Sequence, residues 1–175
     1  DLSEFPKLFT PFRKKVEAAT SPISLSILPN GFLPQPITLC AKKPLERIAN
    51  NGVMHGGLKS AQTHLKQYFS GLLPSTYKIT RNELDGFNNT TKFSTWLALG
   101  CVSARQVYKA VEAYEHSQIT NESTYWIKFE LLWREYFKWH ALKAGKSLFS
   151  FKGQKQTKPL TTFMPNRFAA WCNGS

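Results

Sequence analysis

From Ser123 to Ala144 the chain contains neither proline nor glycine, and Gly145 stands where a helix terminator belongs. Ten of the fifteen residues from Tyr125 to Trp139 are apolar or aromatic. A segment this long and apolar on most sides predicts a helix surrounded by other helices, so the rest of the chain is read by asking what could cover it. Yet Lys128, Glu130, Arg134, Glu135 and Lys138 are threaded through it. Glu130 and Arg134 lie one turn apart, on the face that also carries Trp126, Trp133 and Phe137. A charged pair there is costly to desolvate unless it is satisfied or used. Two readings stay open: an internal ion pair that fixes helix packing, or a pocket where Arg134 meets an anion and Trp133 offers a stacking surface.

The covering elements also read as helices. After Gly56-Gly57, Leu58, Ala61, Leu65, Tyr68 and Phe69 recur at spacings of three and four, up to a break at Gly71 and Pro74. A polar loop is expected next, holding Tyr77, Arg81 and the turn-prone stretch Asp85 to Asn89. A short helix follows from about Phe93 to Leu99, ended by Gly100. Ser103 begins another, with Gln106 completing a capping box and Val107, Tyr108, Val111 and Tyr114 as its buried face. No repeat, heptad or strand pair is evident, and the expected fold class is all-α.

Both ends depart from this pattern. Seven of the ten prolines fall in the first 44 residues, which excludes one long helix or a central strand there. One short helix is expected, with Thr10 as cap, Pro11 at the first helical position and a stripe of Phe12, Val16 and Ala19. The remainder reads as an extended segment or a connector. Beyond Glu135 there is no acidic residue but seven basic ones: Lys138, Lys143, Lys146, Lys152, Lys155, Lys158 and Arg167. The stretch from Lys146 to Pro165 lacks periodicity and reads as a basic loop, either solvated or tracking phosphates.

Charge narrows the function. The 175 residues carry a formal +12, with a pI near 9.8. That balance suits a nucleic-acid binder and equally a solvated basic surface. With 42% hydrophobic residues the chain is no disordered tail. It has no membrane-length apolar run and no signal pattern. Cys40, Cys101 and Cys172 offer no zinc-ligand spacing and read as free thiols of a reducing, intracellular compartment. P-loop, dinucleotide-fingerprint and zinc-helix motifs are absent. His55, His64, His116 and His140 are scattered and read as surface or core residues. The hydroxyls of Thr90, Thr91 and Ser94 at an expected helix start suit either N-capping or a phosphate site.

Two long runs then carry a resemblance. Asn89-Thr90-Thr91-Lys92-Phe93-Ser94-Thr95-Trp96-Leu97-Ala98-Leu99-Gly100-Cys101-Val102-Ser103 and Phe129-Glu130-Leu131-Leu132-Trp133-Arg134-Glu135-Tyr136-Phe137 strongly resemble the DNA photolyase/cryptochrome family. Lys92-Phe93-Ser94 and Arg134-Glu135-Tyr136-Phe137 look most like its DASH-type branch, and Trp171-Cys172-Asn173-Gly174 fits the same pattern. The resemblance implies that residues 1–55 form a Pro-rich connector with a short helix. Residues 56–175 would then be the N-terminal part of a helical FAD-binding domain. An antenna domain, with a pigment such as a folate, would precede Asp1, and the second half of the flavin domain would follow Ser175.

The resemblance also implies roles. Tyr77 would approach the flavin phosphates; Thr90, Thr91, Lys92, Phe93 and Ser94 would cradle the pyrophosphate; Arg134 would lie at the FAD pocket. Arg81 matches a DNA contact. Glu130 and Trp133 match the catalytic lesion pocket, as hydrogen-bond partner and packing wall, and Phe137 stands where some relatives carry tyrosine. Lys152 and Lys155 are expected on the DNA-binding rim. The implied chemistry is light-driven electron transfer from reduced flavin to a cyclobutane pyrimidine dimer flipped from DNA, preferably single-stranded. Competing readings are a photolyase acting on duplex DNA, a non-repairing blue-light photoreceptor that binds nucleic acid or protein partners, and a basic helical nucleic-acid module without cofactor.

Overall fold

The computed structural model describes residues 2–19 and 54–174. Most of the expected Pro-rich connector, with Cys40, therefore lies outside the described residues. The described elements are all helical: α1 (Phe9–Ala18), α2 (Leu58–Phe69), α3 (Leu73–Thr80), α4 (Ser94–Ala98), α5 (Ala104–Ser117), α6 (Glu122–Ala144) and α7 (Pro165–Asn173), with 3₁₀ turns at Phe87–Asn89 and Gly145–Phe149. The chain divides into two compact units, one formed by Glu17–Trp133 and the other by Asp1–Val16 with Arg134–Ser175.

The core of the first unit is built from side chains that recur at helical spacing. Ala61 and Tyr68 of α2, Tyr77 of α3, Phe93 and Trp96 around α4, Val107 and Val111 of α5, and Ile127 and Leu131 of α6 form one buried cluster. Its centre is aromatic. The Phe93 ring lies 5.5 Å from Tyr68, 6.1 Å from Phe69 and 5.4 Å from His64. α5 begins as its sequence predicts: Ser103 Oγ accepts from the Gln106 amide at 3.1 Å, and the Gln106 side chain accepts from the Ser103 amide at 2.8 Å. Gly100 ends α4 in the left-handed region (φ 71°), a conformation that costs a side-chain-bearing residue more than glycine. The Asn121 side chain caps α6 by accepting from the Thr124 amide at 3.0 Å.

Polar groups between α5 and α6 are satisfied within the same unit. Thr124 is fully buried and donates its hydroxyl to Glu115 at 2.8 Å. Glu115 also pairs with Lys128, whose ammonium sits 5.3 Å from the centre of the Tyr108 ring.

The second unit is organised around Tyr136. Its ring stacks on Phe5 at 5.6 Å, meets Phe9 edge-on at 5.7 Å and lies 5.6 Å from Phe12, while its hydroxyl donates to the Lys7 carbonyl at 2.7 Å. Lys143 donates to the carbonyls of Ser3 and Phe5.

Four local expectations need correction. Tyr77 belongs to α3 and not to a polar loop, and Arg81 is the helix's C-terminal cap residue, because Pro74 occupies the first turn of α3 and starts it. α1 begins at Phe9, so Thr10 is inside it and Pro11 again uses a first-turn position where no intrahelical donor is needed. α6 is not covered on all sides by described residues: Phe137 is 59% and Leu142 56% exposed. The expected basic loop holds for residues 150–164, but a 3₁₀ turn (Gly145–Phe149) occupies its start and an unforeseen helix, α7, follows it, with Pro165 at its first position and Gly174 (φ 71°) after its last.

Candidate functional site

The loop between α3 and α4 holds the first group of expected site residues. It is fastened from two helices. Thr80 of α3 donates its hydroxyl to the Asn89 carbonyl at 2.9 Å, and Nε2 of His64 on α2 donates to the Thr91 carbonyl at 2.9 Å. Asn89 also reaches Glu83 at 2.6 Å. Thr90, Thr91 and Lys92 are half-buried on this pinned backbone, and Ser94 is exposed. Among the described residues no side-chain cap bond is made at the start of α4, where Phe93 is the cap residue, so the hydroxyls of Thr90, Thr91 and Ser94 are not spent on capping. Lys92 adopts φ 54°, uncommon for a residue with a side chain, with its ammonium 5.8 Å from the centre of the Phe87 ring. Hydroxyls, an ammonium and a held backbone are the donor set of an anion site, and they fit a diphosphate.

Phe93 plays a different part from its neighbours. Its ring is buried in the aromatic core, so what it can offer a ligand is its backbone. Tyr77 is likewise buried. Burial raises the pKa of its phenol above the ordinary value of 10.0, with partial relief from the charge of Arg81 one turn on.

α3 and α6 bring together the second group. Arg81 forms an ion pair with Glu130, and its guanidinium lies 4.5 Å from the centre of the Trp126 ring. The two side chains are 24% and 38% exposed, so the pair is neither free in water nor sealed from it. An arginine held over an indole has its planar donor fork restrained by that contact. Trp126 packs on Phe129 at 4.5 Å, and Phe129 meets the ring of the half-buried Trp133 at 6.4 Å. The aromatic ledge and the charged pair are thus parts of one face.

Here the sequence reading of the charges changes. Glu130 pairs with Arg81 from α3, and Arg134 pairs with Glu135 at 2.5 Å. One-turn spacing along α6 placed Glu130 and Arg134 on one face, but a partner from a neighbouring helix prevails. Arg134 and Phe137 belong to the other unit, where Phe137 is exposed and lies 5.7 Å from Tyr136. Lys152 and Lys155 are exposed there on the turns before α7. Sequence reasoning missed two residues. His64, read as a bystander, pins the Thr91 backbone, and Trp126, noted only for its face, supports Arg81. Trp126 precedes Glu130 by one turn, and that spacing was the available signal.

The comparisons bear on this geometry. No family model matches the chain. The chain is 48% identical to the cryptochrome DASH of Idiomarina loihiensis, over 100% of its own length and 39% of the relative's. It is 40% identical to that of Danio rerio, over 97% of its length and 35% of the relative's. A solved structure of a Synechocystis cryptochrome superposes with a TM-score of 0.76 at 33% identity, covering 99% of this chain and 38% of that one. The chain belongs to the photolyase/cryptochrome family, and its helical fold is of that type. Within the family it is most like the DASH cryptochromes, and it spans about two fifths of the length of the curated relatives it matches.

Proposed function

We propose that the chain is part of a flavin-dependent, blue-light-driven repair enzyme of the DASH type, which splits cyclobutane pyrimidine dimers and favours single-stranded DNA. The observation that carries this reading is the meeting of Arg81 and Glu130 beside Trp126, on the helix that also carries Trp133. A base acceptor, a cation for the strand and an aromatic wall then stand on two packed helices, in a chain whose relatives are cryptochromes.

Tyr77, Thr90, Thr91, Lys92, the backbone of Phe93, Ser94 and Arg134 would hold FAD. When bound, the flavin supplies light-driven one-electron chemistry. The loop hydroxyls and Lys92 compensate the charge of its diphosphate. Glu130, positioned by its ion pair with Arg81, accepts an N–H of the dimer base. Arg81 adds positive charge where the lesion gains negative charge. Trp133 packs against the flipped dimer and excludes water; Phe137, Lys152 and Lys155, residues of the other unit, are further proposed contacts for DNA. Single strands are favoured because extruding a dimer from them costs little pairing or stacking energy. The 175 residues supply one wall of this cavity, so by themselves they hold flavin weakly or not at all.

Repair assays on the whole protein test the proposal, using dimer-containing single- and double-stranded oligonucleotides in blue light and in darkness. Light-dependent splitting, faster on single strands, is the expected result. Glu130→Ala should lower splitting per absorbed photon roughly tenfold or more, as loss of a charge-assisted hydrogen bond implies, with flavin retained. Binding without splitting in either condition would favour a blue-light photoreceptor instead.

A further inference from the structure

Two cations of α3 and two carboxylates of α6 converge on a single indole. Lys78 and Arg81 lie three residues apart on one face of α3, and both reach Trp126: Arg81 Cζ is 4.5 Å and Lys78 Nζ 5.9 Å from the ring centre. On α6, Glu122, Trp126 and Glu130 follow one another at four-residue intervals. Lys78 pairs with Glu122 at 2.7 Å, and Arg81 with Glu130.

The two pairs differ in what they do for the fold. Glu122 is 80% exposed, against 38% for Glu130. Docking of α3 on α6 does not depend on the Lys78–Glu122 pair, because the Lys78 amide donates to Ser123 Oγ at 3.1 Å and the Asn121 side chain donates to the Ser75 carbonyl at 2.9 Å. A water-exposed pair of this kind is weak and screened by salt. A phosphodiester brought to Lys78 can displace Glu122 and gains from released counterions. The indole meanwhile holds the lysine beside Arg81, so that two positive charges lie along one path.

We propose that Lys78 is a backbone-phosphate contact for single-stranded DNA, next to Arg81, and that Glu122 masks it in the ligand-free protein and restrains binding. The proposal rests on the DNA-binding reading above and adds to it a second cation and a competing carboxylate. Glu122 then acts against affinity, which a merely structural ion pair would not do.

The test is the affinity of the flavin-loaded whole protein for a fluorescein-labelled single strand carrying one thymine dimer, measured across a salt series. Lys78→Gln should weaken binding about threefold to tenfold at low salt and flatten the log–log salt slope by about 0.7, the loss of one single-strand phosphate contact. Glu122→Gln should tighten binding about threefold at low salt, as removal of an exposed competing pair implies. In the Lys78→Gln background, Glu122→Gln should have no effect, since the charge it masks is gone. Wild-type binding with neither single substitution changing affinity or slope would overturn the proposal while leaving the repair reading standing. Absence of any DNA binding by the wild type would overturn both.

Discussion

Residues 54–133 and residues 134–174 treat their aromatic side chains in opposite ways. In the first stretch Tyr68, Phe93, Trp96 and Tyr114 are each no more than 5% exposed, and the Glu115–Lys128 pair is satisfied by Thr124 on the neighbouring turn. In the second, Tyr136 is buried among Phe5, Phe9 and Phe12, but Phe149 is 89% and Trp171 75% exposed, and Phe168 is also exposed. The difference teaches that composition and cover are separate properties: both stretches are rich in aromatic residues, and one of them supplies partners for nearly all of its own. Of the proposed site residues of the first stretch, Arg81 rests on Trp126, which packs against that core, and Glu130 is held by Arg81.

Substitutions in the 175-residue chain can break this contrast or sharpen it. Phe93→Ala should have the largest effect, a loss of about 3 to 5 kcal/mol of stability from the emptied aromatic centre, read by denaturant unfolding. A loss below about 1 kcal/mol would mean that the core is not closed around this ring. Glu115→Ala should follow at about 3 kcal/mol, because it leaves the Lys128 ammonium without its carboxylate in a setting where each side chain of the pair is less than a fifth exposed.

Alkaline titration probes the same core more gently. Burial, reinforced by neighbouring tyrosines, raises the Tyr68 pKa well beyond its ordinary value, and burial raises that of Tyr77. Folding therefore favours the neutral phenols. The stability they share is fully present below pH 10, the unfolded value, and is lost as pH rises toward their folded values. Ultraviolet absorbance should show these tyrosines ionising together with unfolding, whereas early ionisation of every tyrosine in the folded chain would contradict their burial. The smallest effect is expected from Trp171→Ser, within about 0.5 kcal/mol by the same unfolding measurement, since the described residues leave this ring largely uncovered.

The sequence made the helices legible where periodicity and capping agreed. The Ser103–Gln106 capping box and the buried face of α5 follow directly from local chemistry, as does the termination of α4 at Gly100 and of α6 at Gly145. Short elements were harder. α3 was hidden because Pro74 signals a break as readily as a first helical turn, and α7 because its nine residues contain too little repetition. The candidate site shows the same division. The Thr90–Ser94 run and the Glu130–Trp133 spacing could be read along the chain, but the choice of Arg81 over Arg134 as partner of Glu130 depends on which helix packs beside α6. The support given by His64 and Trp126 is equally a matter of packing.

The central claim is that these helices line a flavin-binding cavity, with the Thr90–Ser94 loop at the diphosphate. Its most direct test is the visible absorption spectrum of the whole protein after gentle purification and addition of FAD, beside a variant in which Thr90, Thr91 and Ser94 are alanine. Stoichiometric flavin in the wild type and weakened retention in the variant are the predicted results. A colourless wild type that refuses added FAD would contradict the account.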